Sequence, residues 1–374
     1  MVAYNIEAFL TVKECLTRSD YKRIQYFPGH RRRLGREFFL FRSCILKNNT
    51  TLLRGSALYP LYKQLMQNLS PLLYNQYKFF FLSEELPLTL LSEFLSQHEL
   101  DILTKNELIY CIDDSFICNY RFVPIKDQLI VVSPLRDRDT PNYVYIGPDS
   151  IIMMDLLSGE CNKKVMDVLE IGCGTGLLSL WMSKFGQNVK AIDINPRALE
   201  ITELNATING VNNIFTKSSE IYSEVQDEFD IIISNPPYIF LPEEYDDRIF
   251  EYGGDLALEI VEKIFQGLDD GLKVDGVTLL FCNSYIKHGV NTLIELVRSV
   301  FHGKSYLITL KQIDYQQLID HLGFYKAHGI SHSIRYWVKI EKAPSYKLNH
   351  IPLRGAHRLL ESFKIKQLSG SKWS

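Results

Sequence analysis

The sequence lacks the cysteine patterns of zinc sites and disulfide scaffolds. Its seven cysteines are scattered and odd in number, with no CxxC pair and no cysteine–histidine pair at zinc-ligand spacing. Such cysteines are typical of a reduced, cytosolic protein whose thiols are mostly buried. We therefore expect a cytoplasmic protein, and we predict no metal site.

Long apolar runs and a strong net charge are also missing. No stretch approaches the roughly 18 apolar residues that span a bilayer, and residues 1–10 carry Glu7 and lack the apolar core of a secretory signal peptide. We expect no membrane partner. The formal net charge of −3 gives no whole-chain indication of nucleic-acid binding. The basic cluster His30–Arg33 with Arg36 is interpreted as a solvated helix start, with a contact for a polyanion or an acidic substrate as the alternative.

The composition is that of a globular protein. Hydrophobic residues make up 46% and charged residues 23% of 374 residues, a length that suggests two or three domains. Residues 1–140 are predicted to form a mainly helical N-terminal domain, because apolar residues recur at helical spacing over Leu58–Leu69 and Leu88–Leu95. Apolar runs on both sides of Asp113–Ser115 predict a β-hairpin, so the domain is interpreted as winged-helix-like. The charged segment Arg136–Pro141 is the predicted boundary.

Strands and helices alternate through the second predicted domain, residues 141–342. Predicted strands are Tyr143–Ile146, Val165–Ile171, Val189–Ile194, Ile231–Ser234, Gly276–Cys282, Tyr306–Leu310 and Ile334–Ile340, the last as an edge or antiparallel strand. Predicted helices are Ile151–Leu157 with Asp149 or Ser150 as its cap, Leu177–Lys184, Pro196–Asn209 with Asn195 as its cap, and Leu256–Leu268. This alternation predicts an α/β fold with a doubly wound, mostly parallel, seven-stranded sheet.

Residues 343–374 are predicted to form a basic C-terminal tail, with six lysines and arginines against one glutamate. A peripheral helix over Arg354–Lys366 or a loose tail is favoured. A contact for nucleic acid or an acidic partner is the alternative.

A glycine-rich turn, Glu170–Gly176, lies between a predicted strand and a predicted helix. Glycines allow backbone to approach a ligand closely. A dinucleotide-binding turn would place its third glycine at position 177, which is Leu177 here. The spacing therefore disfavours NAD and suits a ligand without a pyrophosphate, whose amino acid part packs on the turn. Glu170 either holds polar groups of the ligand or bonds the N–H groups of the turn.

Polar residues also end the next two strands. Asp193 is placed to accept hydrogen bonds from two ribose hydroxyls, and a helix-capping acid is its alternative role. Ser219 or Glu220, at the end of the following strand, is a candidate for an adenine amino group.

The stretch Asn235-Pro236-Pro237-Tyr238 ends an apolar strand. Proline has no backbone donor and restricts φ, so two prolines stop the strand and make a rigid loop. The Asn235 side-chain oxygen and the Pro236 carbonyl suit a planar group that bears an NH2, and the Tyr238 ring suits its flat face. An ordinary strand-ending turn is the alternative, because a short motif is only a hypothesis.

Taken together, these motifs resemble the class I S-adenosylmethionine-dependent methyltransferases. The matching features are Glu170-x-Gly-x-Gly-x-Gly176, Asp193-Ile-Asn-Pro196, Asn205-Ala206, Asn209-Gly210-Val211, Phe229-Asp230, Asn235-Pro-Pro-Tyr238 and Gly253-Gly254-Asp255-Leu256. The stretch Tyr145–Ser150 resembles the segment that covers the methionine end of the cofactor. The resemblance is strongest to the small-domain branch with an Asn-Pro-Pro-Tyr motif, which includes release-factor glutamine methyltransferases and ribosomal guanine N2-methyltransferases.

The resemblance implies S-adenosylmethionine as cofactor and a Rossmann-like fold. It assigns cofactor binding to Glu170, Gly172, Cys173, Gly174, Gly176, Asp193, Ile194, Ser219, Glu220 and Asn235, and catalysis to Asn235, Pro236, Pro237 and Tyr238. The implied activity is N-methylation of a planar nitrogen, in the first place a protein or peptide amide. A small-molecule guanidine or amide and an RNA or DNA base are the alternatives. The N-terminal domain is expected to select the substrate. A non-catalytic RNA-binding module and an NAD-dependent oxidoreductase are disfavoured by the intact Asn235–Tyr238 motif and by Leu177.

Overall fold

A computed structural model of the chain describes residues 5–21, 70–138, 140–160, 167–242, 252–316 and 322–352. It divides the chain into two compact units, Met1–Asn235 and Pro236–Ser374. The basic cluster at 30–36, the apolar repeat at 58–69 and the predicted helix at 354–366 lie outside the described residues. The domain boundaries expected near residues 140 and 342 remain predictions.

The N-terminal part of the first unit is mainly helical. Its helices are α1 Ile6–Arg18, α2 Pro71–Gln76, which continues into a π-helical turn Tyr77–Phe81, α3 Leu88–Leu91 and α4 Gln97–Lys105. The Asn5 side chain caps α1 by accepting a hydrogen bond from the Glu7 N–H. Ser96 and Glu99 form a reciprocal capping box at the start of α4. The predicted helical N-terminal region is confirmed.

Two β-hairpins follow these helices. Their strands, with one short partner strand, are β1 Leu86–Pro87, β2 Ile109–Ile112, β3 Ser115–Cys118, β4 Arg121–Ile125 and β5 Gln128–Val132. The predicted β2–β3 hairpin is confirmed, and Asp113 takes a positive φ of 52° in its turn. Strand β4 was not predicted, because Pro124 interrupts its pattern. It pairs only with β5 in a two-stranded sheet, where a missing N–H is tolerated.

A parallel sheet forms the rest of the first unit. Its strands are β6 Asp167–Ile171, β7 Asn188–Asp193, β8 Ile214–Ser218 and β9 Phe229–Ser234, and they lie in the order β9-β6-β7-β8. The helices of this part are α5 Pro148–Glu160, α6 Leu177–Met182 and α7 Pro196–Ile208. The predicted α/β class with a mostly parallel sheet is confirmed. The strand order reverses between β6 and β9, and such a switch point is where open α/β sheets bind ligands.

Two local predictions before β6 are wrong. Residues 143–146 form no strand, because the Ser133 N–H bonds the Val144 carbonyl while the Val144 N–H turns to the Ser133 side chain, so no ladder develops. Helix α5 begins at Pro148, three residues before the predicted start. Ser150 therefore lies in the first turn of α5 rather than at its cap.

The second unit contains a mixed sheet. Its strands are β10 Leu272–Lys287, β11 Val290–Asn291, β12 Tyr306–Gln316, β13 Ile330–Lys342 and β14 Lys347–Ile351, and the main order is β14-β12-β13-β10. Its helices are α8 Glu259–Gln266, α9 Leu268–Gly271, α10 Thr292–Phe301 and α11 Leu322–Ala327.

Strand β13 is antiparallel to both β10 and β12, so the alternative of an antiparallel strand is right and that of an edge strand is wrong. Strand β14, from the segment expected as a tail, pairs in parallel with β12. The predicted helix Leu256–Leu268 is interrupted, because Leu256 and Ala257 take positive φ values of 50° and 57°.

Across the described ranges, every helix is too short or too polar to traverse a lipid bilayer. Within the same ranges, no group of three or more histidines, cysteines, aspartates or glutamates is arranged to hold a metal ion.

Candidate active site

The predicted cofactor residues of the first unit follow the carboxyl ends of its parallel strands. Ile171 at the end of β6 pairs with Ile192 on one side and Ser234 on the other, and Asp193 pairs with Ser218. The residues that follow these strand ends therefore leave the sheet at the same edge. They are Gly172, Asp193, Ser219 and Asn235.

The three glycines of the turn have two different roles. All three take positive φ values, 72° at Gly172, 53° at Gly174 and 71° at Gly176. A Cβ added at Gly172 or Gly174 would meet no atom within 4 Å, whereas one at Gly176 would lie 2.7 Å from Thr202 Cγ2. The first two glycines thus leave an open cradle, and the third lets the start of α6 approach α7.

Backbone hydrogen bonds dock this turn on the end of β7. The N–H groups of Gly172 and Cys173 both donate to the Ile192 carbonyl, at 2.9 and 3.0 Å. The Gly174 N–H donates to Asp193 Oδ2 at 2.9 Å. The cradle is therefore held by two main-chain hydrogen bonds and by the Asp193 carboxylate.

Glu170 is buried beneath the turn, with 2% of its surface exposed. Its Oε2 accepts hydrogen bonds from the Ser179 N–H, at 2.7 Å, and from the Ser179 hydroxyl. Burial raises the pKa of this carboxyl to about 8, against the opposing effect of the Ser179 bonds. The observed donors belong to α6, so the alternative in which Glu170 bonds the N–H groups of the turn is wrong, and a contact with the ligand stays a prediction.

Cys173 is buried in the turn, where burial holds the pKa of its thiol well above the ordinary value. The Thr202 hydroxyl donates to its sulfur at 3.4 Å. A neutral thiol of this kind packs as a small apolar group and is a poor nucleophile.

Asp193 is half-buried and faces the glycine turn. Its two carboxylate oxygens accept the Gly174 N–H and the Asn195 N–H, each at 2.9 Å. A carboxylate has about four acceptor positions, so these bonds do not use all of them. The alternative of a helix-capping acid is wrong, since the Asn195 side chain caps α7 by accepting the Arg197 N–H. Ile194, 55% exposed, offers an apolar surface beside the carboxylate.

Ser219 and Glu220 differ in what their side chains do. The Ser219 hydroxyl is buried, accepts the Glu224 N–H at 3.1 Å and donates to the Ile221 carbonyl at 3.2 Å. It closes the turn after β8. The Glu220 side chain is exposed at the same place, so it is the better candidate for an adenine amino group.

Asn235 ends the first unit. Ser234, just before it, donates its hydroxyl to the Ile171 carbonyl at 2.8 Å, which ties the end of β9 to the end of β6. Asn235 Nδ2 donates to Ser150 Oγ at 3.1 Å. Its Oδ1 is buried and accepts no hydrogen bond from any described residue. A buried acceptor left unpaired costs about 1–3 kcal/mol.

The other motif residues, Pro236, Pro237 and Tyr238, begin the second unit. Tyr238 is 8% exposed, its carbonyl accepts the Asn283 side-chain amide at 3.3 Å, and the Arg335 guanidinium lies 5.7 Å from its ring centroid. A Cβ added at Gly253 would lie 2.7 Å from the Pro237 carbonyl oxygen, so only a glycine fits there. Side chains of β10 and β13 thus hold this loop.

The chain just after the motif is held in the same way. The Phe240 N–H donates to the Tyr285 hydroxyl at 3.0 Å, and the Tyr325 hydroxyl donates to the Phe240 carbonyl at 2.7 Å. The sequence did not indicate that four residues hold this loop, because none of them lies in a recognisable local motif. They are Asn283, Tyr285, Tyr325 and Arg335.

Asn205 is another residue whose role was missed. It is fully buried on α7, accepts the Val131 N–H at 2.7 Å, and donates to the carbonyls of Val131 and Thr175, both at 2.9 Å. It therefore joins strand β5 to the glycine turn. The sequence could have indicated this role, because Asn205 is a polar residue on the apolar face of the predicted helix Pro196–Asn209.

The residues of the first unit fit S-adenosylmethionine. The open glycine cradle matches the amino acid part of the cofactor. The remaining acceptor positions of Asp193 match its ribose, and the exposed face of Ile194 matches its flat base. The unpaired Oδ1 of Asn235 is left for an acceptor group.

Comparison with known proteins indicates the family to which this chain is similar. Residues 147–309 match the family described as Methyltransferase small domain. A putative protein N5-glutamine methyltransferase of Methanocaldococcus jannaschii is 38% identical over 178 residues, which is 45% of this chain and 87% of that relative.

Two further matches are partial or distant. A release factor glutamine methyltransferase of Lactococcus lactis is 36% identical over 115 residues, 30% of this chain and only 42% of that relative. The structure of a ribosomal protein L11 methylase from Lactobacillus delbrueckii subsp. bulgaricus is 18% identical, covers 54% of this chain and 81% of that chain, and has a TM-score of 0.36.

The archaeal relative is matched along nearly its whole length, and the family match includes the strands that carry the glycine turn, Asp193 and Asn235. The chain therefore belongs to the methyltransferase small-domain family and is a class I S-adenosylmethionine-dependent methyltransferase.

Proposed function

We propose that this enzyme methylates the side-chain amide nitrogen of a glutamine in a protein. The observation that carries the proposal is the buried Asn235 Oδ1, which has no donor among the described residues. The names of two relatives support it, a putative protein N5-glutamine methyltransferase and a release factor glutamine methyltransferase.

The acceptor amide is planar, because its nitrogen lone pair is conjugated with the carbonyl. Its NH2 group carries two hydrogens, which Asn235 Oδ1 and the Pro236 carbonyl accept. These two bonds hold the nitrogen in position and stabilise the positive charge that develops on it as it is methylated. Prolines 236 and 237 restrict the loop and offer carbonyls without competing N–H groups. The nitrogen forms its bond to the methyl carbon as the carbon–sulfur bond breaks, S-adenosylhomocysteine leaves, and the methylated, positively charged nitrogen then loses one proton to solvent, so no strong base is required.

When bound, S-adenosylmethionine supplies an electrophilic methyl group on a positively charged sulfur. Gly172 and Gly174 seat its amino acid part, Asp193 accepts the ribose hydroxyls, and Ile194 packs against the base. Glu220, whose exposed side chain lies beside the turn that Ser219 closes, is the residue assigned to the adenine amino group in this proposal. Glu170, Cys173 and Gly176 shape the turn from beneath through their contacts with Ser179 and Thr202.

Tyr238 stacks on the planar acceptor group in this proposal, with the small part of its surface that is exposed. In this proposal residues 1–140 select the acceptor and residues 141–342 carry the transfer. A reducing, cytoplasmic location is supported by Cys15, Cys111, Cys118, Cys173 and Cys282, all free thiols.

The acceptor class is tested by labelling. The full chain is incubated with methyl-labelled S-adenosylmethionine and a fractionated cell extract, and the product is identified by mass spectrometry. We expect the label in protein, as methylated glutamine. Label in RNA, DNA or a small-molecule guanidine instead would overturn the glutamine assignment and select one of the alternatives. Label on an amide nitrogen of another residue type would keep the reaction and change the substrate.

A further inference from the structure

Ser150 lies in the first turn of α5, where the sequence had suggested a helix cap. Its hydroxyl oxygen accepts the Asn235 side-chain N–H at 3.1 Å, a contact that joins residues 85 positions apart. The segment before α5 is held in place because Val144 packs against Ala198 and Ile201 of α7.

The orientation of the Asn235 amide decides what this side chain can do. A carboxamide has an accepting end and a donating end of almost the same size. A serine hydroxyl can bond either end, so the Ser150 contact fixes the position of the carboxamide, and the acceptor NH2 requires the orientation with Oδ1 toward it. With Nδ2 bonded to Ser150, the accepting Oδ1 is the end left unpaired. In the reversed orientation, Asn235 would present a donor to the acceptor NH2, and two donors repel.

We propose that Ser150 is a positioning residue that holds the Asn235 carboxamide in place, with its accepting Oδ1 left for the acceptor amide. The inference rests on the proposed function, because it assumes that Asn235 Oδ1 receives an N–H of the acceptor. Ser150 itself touches no reacting atom and acts through the Asn235 amide.

Three variants test the proposal by kinetics. Ser150→Ala removes the hydroxyl, Ser150→Thr keeps it, and Ser158→Ala removes another hydroxyl of the same helix, one that donates to the Met154 carbonyl at 3.0 Å. Methyl transfer is measured with a capped glutamine peptide, and S-adenosylmethionine affinity is measured separately by calorimetry.

Because a misplaced group costs one to two orders of magnitude in rate, we expect Ser150→Ala to lower kcat about 10- to 100-fold. Cofactor affinity and melting temperature should match those of Ser158→Ala, and Ser150→Thr should recover most of the rate. An unchanged kcat in Ser150→Ala would overturn the inference, as would a loss that Ser150→Thr fails to restore.

A measurement on the unmodified enzyme covers the case in which Ser150→Ala does not fold. In 15N-labelled protein, one side-chain N–H of Asn235 should exchange with water much more slowly than those of the exposed Asn212. Equal exchange would contradict the Ser150 contact. The inference and the proposed function fail separately, since Asn235→Ala should lower transfer by at least about 100-fold even where Ser150→Ala has no effect.

Discussion

The two units hold their candidate site residues by different means. In the first unit, main-chain bonds dock the glycine turn on β7, and the polar side chains of Asp193 and Asn235 keep accepting positions for a ligand. In the second unit, side chains from β10 and α11 hold the main chain of the Tyr238–Phe240 loop.

These two ways of holding the site residues suit the two units to different tasks. A turn built from main-chain bonds leaves room for a large ligand, because its glycines add no side chains. A loop gripped by buried side chains keeps its carbonyls in one place, as in-line attack by a weakly nucleophilic nitrogen requires. The comparison predicts that backbone changes damage the first unit most and that side-chain changes damage the second.

The largest effect is expected at the third glycine of the turn. Gly176→Ala combines a positive φ of 71° with a Cβ 2.7 Å from Thr202 Cγ2. Backbone strain and overpacking together should lower the free energy of unfolding by about 2–5 kcal/mol, measured by urea denaturation. Gly172→Ala, at a similar φ but in open space, is the matched control. It should cost only about 1–2 kcal/mol and mainly weaken cofactor binding. If Gly176→Ala and Gly172→Ala lowered the free energy of unfolding equally, the separate roles given to these two glycines would be contradicted.

The second prediction concerns the side-chain grip of the second unit. Tyr285→Phe removes the acceptor of the buried Phe240 N–H, so the free energy of unfolding should fall by about 1–3 kcal/mol. Tyr306→Phe is the control, because it loses a bond to the Asp269 carboxylate and leaves no backbone N–H unpaired. If both variants lost the same stability, the proposed grip on Phe240 would have no support.

The third prediction concerns pH. Glu170 has its pKa raised by burial from about 4.5 to about 8 in the folded state. Between these values the folded state binds more protons than the unfolded state, so stability falls as pH rises, by up to about 1.4 kcal/mol per pH unit. Glu170→Gln should remove this fall, measured by urea denaturation from pH 5 to 8.

The second unit has an opposite pH dependence of its own. Burial lowers the pKa of His332 and of His350 below the ordinary value of 6.5, so these groups stabilise the fold above that pH and lose the contribution as pH falls. The informative quantity is therefore the difference between wild type and Glu170→Gln. A difference that stayed constant with pH would mean that Glu170 is ionised in the folded state.

The smallest effect separates Ser219 from Glu220. Ser219→Ala opens a turn bond and should cost about 1 kcal/mol of stability, with little change in cofactor affinity. Glu220→Ala should leave stability unchanged and weaken S-adenosylmethionine binding several-fold, measured by calorimetry. The reverse pattern would assign the adenine contact to Ser219.

Much of the first unit was predictable because its signals are local. Short sequence patterns specify the strands β6, β7 and β9, the capping of α7 by Asn195 and the glycine turn. In each of these patterns the interacting residues lie close together in the sequence. A positive φ needs a glycine wherever the turn occurs, so the turn is visible in the sequence.

The contacts that hold the site were not predictable in the same way. Ser150 meets Asn235 across 85 positions, and Tyr285 meets Phe240 across 45. Such contacts depend on tertiary packing, and the hydrophobic periodicity of a single sequence does not reveal them. Strand β14 was missed for a similar reason, because its only partner in the described sheet is β12 and its sequence is mostly polar.

The most direct test of the account is methyl transfer by Asn235→Ala. The enzyme is given labelled S-adenosylmethionine and a capped glutamine peptide, and cofactor affinity is measured on the same preparation. The account predicts that transfer falls by at least about 100-fold, while cofactor affinity stays within about twofold because the glycine cradle and Asp193 are intact. Transfer at the wild-type rate in this variant would contradict the central role given to the Asn235 oxygen.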